Sequence, residues 1–378
     1  MNRILAFFKK ETVLCAALIL AVVSMFFVPP DKDYLGYVDL RTLAILFSLM
    51  CVMAGLQKIG VFDRVARKLL SHVRSGRSLI LTLALLCFFS SMFITNDVAL
   101  ITFVPFTFTI LDMLGEERKH RLLLPVVVMQ TIAANLGSML TPIGNPQNLY
   151  LYGKAGLSIP EFLLLMLPYT LLALALLVAW SLIQGRICPQ VPKLSETGRP
   201  QTGYFDPHPL AVYFVLFLLC LLAVAHVIPW QAAFFAVIVM VFLTDRQVFQ
   251  KVDYSLLLTF TGFFVFVGNV GRIPAFRDFL QDMIAGREVY TAIAASQVIS
   301  NVPAALLLSG FTEDLKGLIV GTNLGGLGTL IASMASLISY KYIAKGTSGR
   351  KGEYIALFTA GNVVFLGAMM ALHALMGQ

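Results

Sequence analysis

The sequence predicts an all-α polytopic membrane protein built from two inverted-topology repeats. Three observations predict it. Of the 378 residues, 58% are hydrophobic and only 13% are charged, against about 25% charged in soluble domains. Apolar runs of about 20 residues recur along the whole chain, the length that crosses about 30 Å of hydrocarbon. Three short blocks of the first half also return, in the same order, in the second half. Composition excludes a soluble protein, and the even spread of runs gives no sign of a separate soluble domain.

The runs cover 13–28, 41–57, 79–111, 122–152, 161–184, 210–227, 231–244, 254–270, 290–311, 317–340 and 354–375. They divide the chain into an N-terminal span with an external loop (1–40), a first repeat (41–184), a linker (185–209), two connecting spans (210–253) and a second repeat (254–378). The linker holds five prolines and no apolar periodicity, which reads as a cytoplasmic connector. Arg3, Lys9 and Lys10 precede the first run as in a signal peptide. Pro29-Pro30-Asp31 follows it without a small-residue cleavage site, so an uncleaved span is expected.

Run 79–111 has 33 residues, about 50 Å as one helix at 1.5 Å per residue. That is too long for one crossing and short for two. Two arms of about 15 residues reach roughly 22 Å each, past the midplane but not across. Runs 79–111 and 290–311 are therefore expected to be re-entrant hairpins, and the other nine runs to cross. With the N-terminus cytoplasmic and the C-terminus external, cytoplasmic segments carry 21 of the 28 Lys and Arg residues and external ones 7. This is the bias of the positive-inside rule. Between the second run and the first hairpin, Phe62, Val65, Ala66, Leu69 and Leu70 share one helical face and the other positions are charged. That predicts a helix lying in the interface.

The repeat rests on three matches. Phe47–Gly55 parallels Phe260–Gly268. Ile94-Thr95-Asn96-Asp97-Val98-Ala99 parallels Ile299-Ser300-Asn301-Val302-Pro303-Ala304. The block from Ala134 to Tyr152 has 7 identities in 19 positions with the block ending at Tyr340. The first repeat opens with a span running inward (41–57) and the second with one running outward (254–270). Inverted repeats with helices broken at the midplane mark secondary transporters.

Two breaks are expected. In run 122–152, Asn135-Leu136-Gly137 and Thr141-Pro142-Ile143-Gly144-Asn145-Pro146 hold the helix breakers. In run 317–340, Asn323-Leu324-Gly325-Gly326-Leu327-Gly328-Thr329 offers glycines instead, with Ser333 and Ser336 following. Irregular backbone at membrane depth survives where it lines a cavity or is buried in protein. The alternatives are an unbroken span ending near Leu140, and close helix packing through small residues in the second run.

Asp97 lies at the turn of the first hairpin, in a run that carries no other charge. An ionisable group at that depth is costly and marks function by default. It either caps the second arm, binds a cation, or carries a proton. Apart from Arg41 at the very start of run 41–57, no Lys or Arg lies inside any run. An anionic solute would then depend on helix dipoles, a co-bound cation or a protonated Asp97. The candidate solute- and ion-binding residues are Thr95, Asn96, Asp97, Asn135, Gly137, Thr141, Pro142, Gly144, Asn145, Ser300, Asn301, Asn323, Gly325, Thr329 and Ser333, with Asp97 as the coupling residue.

Other classes fare worse. The net charge of +8 comes from bases placed between apolar runs, not on one face, so no nucleic-acid partner is expected. The five cysteines include no CxxC pair and read as free thiols. The five histidines lack ligand spacing, so no metal site is expected, and no cofactor beyond Na⁺ or H⁺ as a coupling ion. No HExxH, GxSxG or paired intramembrane aspartate supports an enzyme. No Walker A motif is present, so ATP hydrolysis would need a partner chain. A passive channel remains a distant alternative.

At Thr95-Asn96-Asp97-Val98-Ala99-Leu100, Leu140 to Asn148 and Ser296 to Pro303, the chain resembles the ion transporter superfamily. That group holds arsenite permeases, sodium–proton antiporters of the same fold, and citrate and divalent-anion transporters. The resemblance spans nearly the whole chain and is nearest to short bacterial anion-permease-like members. It implies a scaffold and a transport domain, a homodimer in the inner membrane, an elevator-type motion, and a small inorganic or carboxylate solute held between hairpin tips and broken helices. It carries binding roles to Thr95-Asn96-Asp97, Ser300-Asn301, and the breaks around Thr141 and Thr329. Dicarboxylate symporters of the group show Ser-Asn-Thr at both tips. Here the trios are Thr-Asn-Asp and Ser-Asn-Val, which resembles the arsenite and antiporter branches more closely. The expected activity is secondary transport of an anion or arsenite-like oxyacid coupled to H⁺ or Na⁺, with a Na⁺/H⁺ antiporter as the alternative.

Overall fold

A computed structural model describes residues 11–184 and 207–377, apart from 72, 74 and 348. The basic N-terminal residues and nearly all of the proline-rich linker lie outside the described residues. Among those described, the chain is all helix, with no strand. It is a multi-pass membrane protein. Six helices are long and apolar enough to cross a bilayer: α3 (Leu40–Lys58), α5 (Gly76–Ile94), α7 (Glu116–Ser138), α9 (Ile159–Gln184), α12 (Tyr254–Gly271) and α18 (Lys351–Leu375). Shorter apolar helices are α1 (Thr12–Phe27), α10 (Pro207–Val224) and α11 (Trp230–Thr244). A four-residue helix, α2 (Tyr34–Tyr37), precedes α3.

Two of the long helices, α3 and α12, start at a side-chain cap. Asp39 accepts from the Thr42 amide (3.0 Å) and starts α3. Asp253 does the same for α12 through the Leu256 amide (3.0 Å). Both satisfy amides that a helix start leaves without partners. Helix α1 lies along α12, tied by Asn269 Nδ2 donating to Ser24 Oγ (2.8 Å). Beyond the helix ends Arg272 grips Asp31 (2.6 Å) and holds its carboxyl below the usual range.

The first hairpin is α5 and α6 (Asn96–Asp112), joined at Thr95. Its arms have 19 and 17 residues, longer than the 15 expected. Ser75 caps α5 from before the apolar run, accepting from the Ser78 amide (3.2 Å), and Pro105 is absorbed within α6. The second hairpin, α14 (Glu288–Ile299) and α15 (Asn301–Leu308), has arms of only 12 and 8 residues. Ser309-Gly310 ends it early. By length alone α5 could cross the bilayer; the α14 and α15 arms could not.

Two stretches are non-helical inside apolar runs. Helix α7 stops at Ser138, and α8 (Pro146–Ala155) begins after seven intervening residues. Helix α16 (Leu315–Leu324) stops before Gly325, and α17 (Met334–Gly346) begins after Ser333. Gly137 thus remains inside a helix, and Pro146 starts one, as its fixed φ allows. The packing is crossed. Hairpin α5–α6 lies on α7 and also meets α17, while hairpin α14–α15 lies on α16 and also meets α8. Each hairpin therefore touches the near half of its own broken helix and the far half of the other.

Two short amphipathic helices, α4 (Val61–Leu70) and α13 (Pro274–Ile284), lead from α3 and α12 into the hairpins. Helix α4 was expected from its sequence. Helix α13 went unread, although Phe276, Phe279, Leu280, Met283 and Ile284 carry the same helical spacing.

Candidate functional site

Both hairpin tips have one unusual backbone geometry. Thr95 sits at φ 67°, ψ 150° and Ser300 at φ 74°, ψ 153°. Side chains rarely tolerate this region, and each instance costs roughly 1–3 kcal/mol. Surrounding contacts hold it. The Asn96 amide donates to Gly144 O (3.1 Å), and the Asn301 amide donates to Ala332 O (2.9 Å). Gly144 and Ala332 are matched positions in the two blocks. Each tip is thus pinned to the break beside it.

The hydroxyls of Thr141 and Thr329 play matching parts as well. Thr141 donates to Met92 O, and Thr329 donates to Gln297 O (3.1 Å), each the third residue before the tip. Gly137 and Gly325 sit where a Cβ would lie 2.6 Å and 2.5 Å from the hydroxyls of Ser91 and Ser296. Glycine lets the broken helices approach the hairpins that closely.

A buried amide cluster joins the two halves. Asn135 Oδ1 accepts from Asn96 Nδ2 (3.1 Å) and from Ser333 Oγ (3.0 Å). Asn145 Nδ2 donates to Asn323 Oδ1 (3.0 Å), and Asn323 Nδ2 donates to Asn148 Oδ1 (2.5 Å). Asn145 also caps α8 through the Asn148 amide (2.9 Å). Buried amides without partners would each cost about 1–3 kcal/mol, so this cluster fixes the register of the two halves.

The carbonyls freed at each break are covered by different residues. Asn148 Nδ2 faces the oxygens of Ser138 (3.4 Å), Met139 (3.4 Å) and Thr141 (3.2 Å). In the second break, Gln297 Nε2 donates to Gly325 O (3.0 Å) and Leu327 O (2.9 Å), and its Oε1 accepts from the Thr329 amide (2.9 Å). Neither role was read from the sequence, although both residues lie in the quoted motifs. The position matching Asn148 is Ser336, too short to reach, and Gln297 takes over from the hairpin side.

A cavity of about 630 Å³ opens against the first tip. Of the fifteen candidate residues, only Thr95, Asp97 and Asn145 line it. The others, Pro142 apart, belong to the pinning contacts, the close glycine approaches and the amide cluster. One wall is the tip and break, with Ile101, Ile143 and Pro146 beside those three. The facing wall is α3, smooth and apolar at Leu46, Leu49, Met50 and Met53. Gln57, Lys58, Gln247, Lys251 and Asp253 complete the lining.

These last residues correct one expectation. No cation was expected near the site, yet Lys58 and Lys251 share a cavity with Asp97. Lys58 ends α3, one residue beyond the apolar run, and a long side chain keeps its ammonium in the wet mouth. It pairs with Asp245 (2.5 Å) and donates to Gln247 Oε1 (2.9 Å). Lys251 ends the 3₁₀ turn Arg246–Lys251, is exposed, and makes no ion pair among the described residues. Segments almost 200 positions apart build this mouth, so no local pattern announced it.

Asp97 carries a carboxylate oxygen that the described residues leave unprovided for. Its Oδ1 is buried and has no hydrogen-bond partner among the described residues. A plain cap would spend its oxygens on amides of its own helix; here Asn96 Oδ1 takes the Asp97 amide instead (3.0 Å). Val302, at the matching position of the second tip, is apolar and buried. Among the described residues no cluster of three or more His, Cys, Asp or Glu side chains could hold a metal ion.

The profile of the citrate transporter family (CitMHS) matches residues 4–316. The inner membrane protein YbiR of Escherichia coli K12 is 34% identical over 327 residues, covering 84% of this chain and 83% of that protein. The uncharacterized transporter MJ0456 of Methanocaldococcus jannaschii is 28% identical over 339 residues, covering 89% of each chain. The silicon efflux transporter LSI3 of rice is 30% identical over 170 residues, 43% of this chain and 34% of its own length.

Proposed function

Because the chain belongs to the citrate transporter family, and its relatives are transporters and not enzymes, we propose that it is a secondary active transporter of a small oxyacid or inorganic anion, coupled to H⁺ or Na⁺ through Asp97. The observation that carries this reading is the buried, unpartnered Oδ1 of Asp97 at the wall of a solute-sized cavity. A carboxylate kept in protein without a partner is costly. It persists where an exchangeable proton or cation supplies the partner during the cycle.

The cavity chemistry suits a small hydroxylated solute. Around the tip it offers the Thr95 hydroxyl, the Asn145 amide and the Asp97 carboxylate, with no cation among them. A neutral oxyacid can donate to the carboxylate and accept from the amide. The name of the rice relative supports that class, since hydrated silicon oxide and trivalent arsenic oxide are both neutral oxyacids in water. An anion would enter past Lys251 and reach the tip together with H⁺ or Na⁺.

The finer architecture belongs to the same proposal: nine spans, two re-entrant hairpins, inverted repeats, a cytoplasmic N-terminus and an external C-terminus. The matched tips, pinning bonds and crossed packing support a duplication. The mouth residues come from segments counted as cytoplasmic, so the cavity faces inward in this reading. The apolar face of α3 offers a surface along which the tip and break could move, as an elevator motion needs. Two copies of the chain would form the working unit in the inner membrane.

A Na⁺/H⁺ antiporter is the second reading, favoured by Asp253 lining the same cavity as Asp97. Thermal-shift screening against arsenite, silicate, phosphate, sulfate and citrate, with and without Na⁺ and at two pH values, separates the two. Solute-dependent stabilisation followed by gradient-driven flux of that solute supports the permease. Sodium-dependent dequenching of an acid-loaded vesicle dye, with no solute stabilising the protein, supports the antiporter. Channel-scale currents in a bilayer would sink both.

A further inference from the structure

Helices α4 and α13 form an internal comparison. Each leads from an apolar span into a hairpin, each buries two residues (Ala66 and Leu70; Leu280 and Ile284), and each leaves an apolar strip exposed. On α4 the strip is Val65 (46% exposed) and Leu69 (49%). On α13 it is Phe276 (46%), Phe279 (62%) and Met283 (44%). Exposed strips beside a buried face place both helices flat in an interface, dipping the strip into the acyl layer.

Their charge differs in sign. Helix α4 carries three bases, Arg64, Arg67 and Lys68, against one acid, Asp63, for a net +2. Helix α13 carries one base, Arg277, against Asp278 and Asp282, for a net −1, and Arg277 is paired with Asp278 at 3.1 Å. At 100° per residue, Lys68 and then Arg64 border the exposed strip of α4 on its open side, at headgroup level. On α13 the same border holds Asp282 and Asp278. Arg77, exposed at the start of α5, extends the basic patch.

We propose that α4 docks onto anionic phospholipid headgroups, and that its counterpart α13 rests on lipid without preferring anionic headgroups. The strip supplies depth, and the bordering cations supply headgroup selectivity. Each Lys or Arg near an anionic surface contributes attraction worth about a fivefold change in affinity. The attraction is screened within a Debye length. Helix α4 joins α3 to the hairpin that carries Asp97, so a grip there anchors the segment next to the cavity.

The test compares full-length wild type, the triple variant Arg64→Gln/Arg67→Gln/Lys68→Gln, and Arg277→Gln, in phosphatidylcholine nanodiscs with and without phosphatidylglycerol. Melting temperature and binding of a fluorescent phosphatidylglycerol are read. Wild type and Arg277→Gln are expected to gain several degrees from phosphatidylglycerol, and the triple variant to lose most of that gain. Affinity for the fluorescent lipid should fall about fivefold per charge removed. Equal responses of wild type and the triple variant would overturn the proposal. If the triple variant does not fold, Lys68→Gln and a salt titration of wild type decide. Lipid binding unchanged in about 0.5 M salt, where screening is nearly complete, would overturn it as well.

Discussion

Asn135 Oδ1 and Ser333 Oγ are 3.0 Å apart, and the matched pair with the partners exchanged, Asn323 and Asn145, is bonded at 3.0 Å as well. One offset of 188 residues relates 135 to 323 and 145 to 333. The second bonds follow the same rule: Asn135 Nδ2 lies 3.5 Å from Ser336 Oγ, and Asn323 Nδ2 lies 2.5 Å from Asn148 Oδ1. Residue i of one block meets residue j of the other, and j meets i, which is the contact rule of a two-fold axis. Its bonds are buried, so it is a stability element with a measurable coupling.

A double-mutant cycle of Asn135→Ala and Ser333→Ala should return a coupling of about 1 kcal/mol. Asn323→Leu strands both Asn145 and Asn148 and should cost about 1–3 kcal/mol. Melting curves of the purified variants in one detergent measure both. Strict additivity in the cycle would contradict the crossed cluster.

Ser300 holds a backbone conformation that glycine adopts freely. Ser300→Gly should therefore melt at or above the wild-type temperature, whereas Ser300→Val should melt lower. A clear drop for the glycine variant would show that the positive φ carries no strain. The same comparison at Thr95 touches the cavity, so Ser300 is the cleaner position.

Gln297 covers the second break and Met92 stands at the matched place in the first. Gln297→Met should leave Gly325 O, Leu327 O and the Thr329 amide without side-chain partners. The expected cost is about 1–3 kcal/mol, with faster hydrogen exchange confined to 325–329. Unchanged exchange there would mean that other groups satisfy the loop.

Lys251 stands at the mouth, exposed and unpaired among the described residues. For an anionic solute, Lys251→Gln should lower apparent affinity severalfold at low salt, with the difference vanishing at high salt. For a neutral oxyacid the variant should be silent. Initial rates at two ionic strengths read this out and fix the charge of the transported species.

The hairpin tips and breaks were legible because polar and helix-breaking residues stand out against an apolar background. Thr95-Asn96-Asp97 has no polar equal within its run, and Pro142, Gly144 and Pro146 leave the helix no way through. Arm lengths were less legible. Ser75 caps α5 from outside the apolar run, and Pro105 is absorbed within α6. The cavity mouth was not legible at all. Lys58 and Lys251 are ordinary loop-side bases until folding places the 3₁₀ turn against the end of α3. Asn148 and Gln297 show the complementary limit: the matching blocks were visible in identical residues, while the carbonyl-covering role moved between elements that do not match.

The most direct measurement is solute flux by Asp97→Asn in proteoliposomes under imposed proton and sodium gradients, set beside wild type. Asn is nearly isosteric with Asp and still lines the cavity, so solute binding by thermal shift should persist. The account predicts that gradient-driven accumulation is lost while binding remains. Accumulation by the variant with unchanged ion dependence would contradict the assignment of coupling to Asp97.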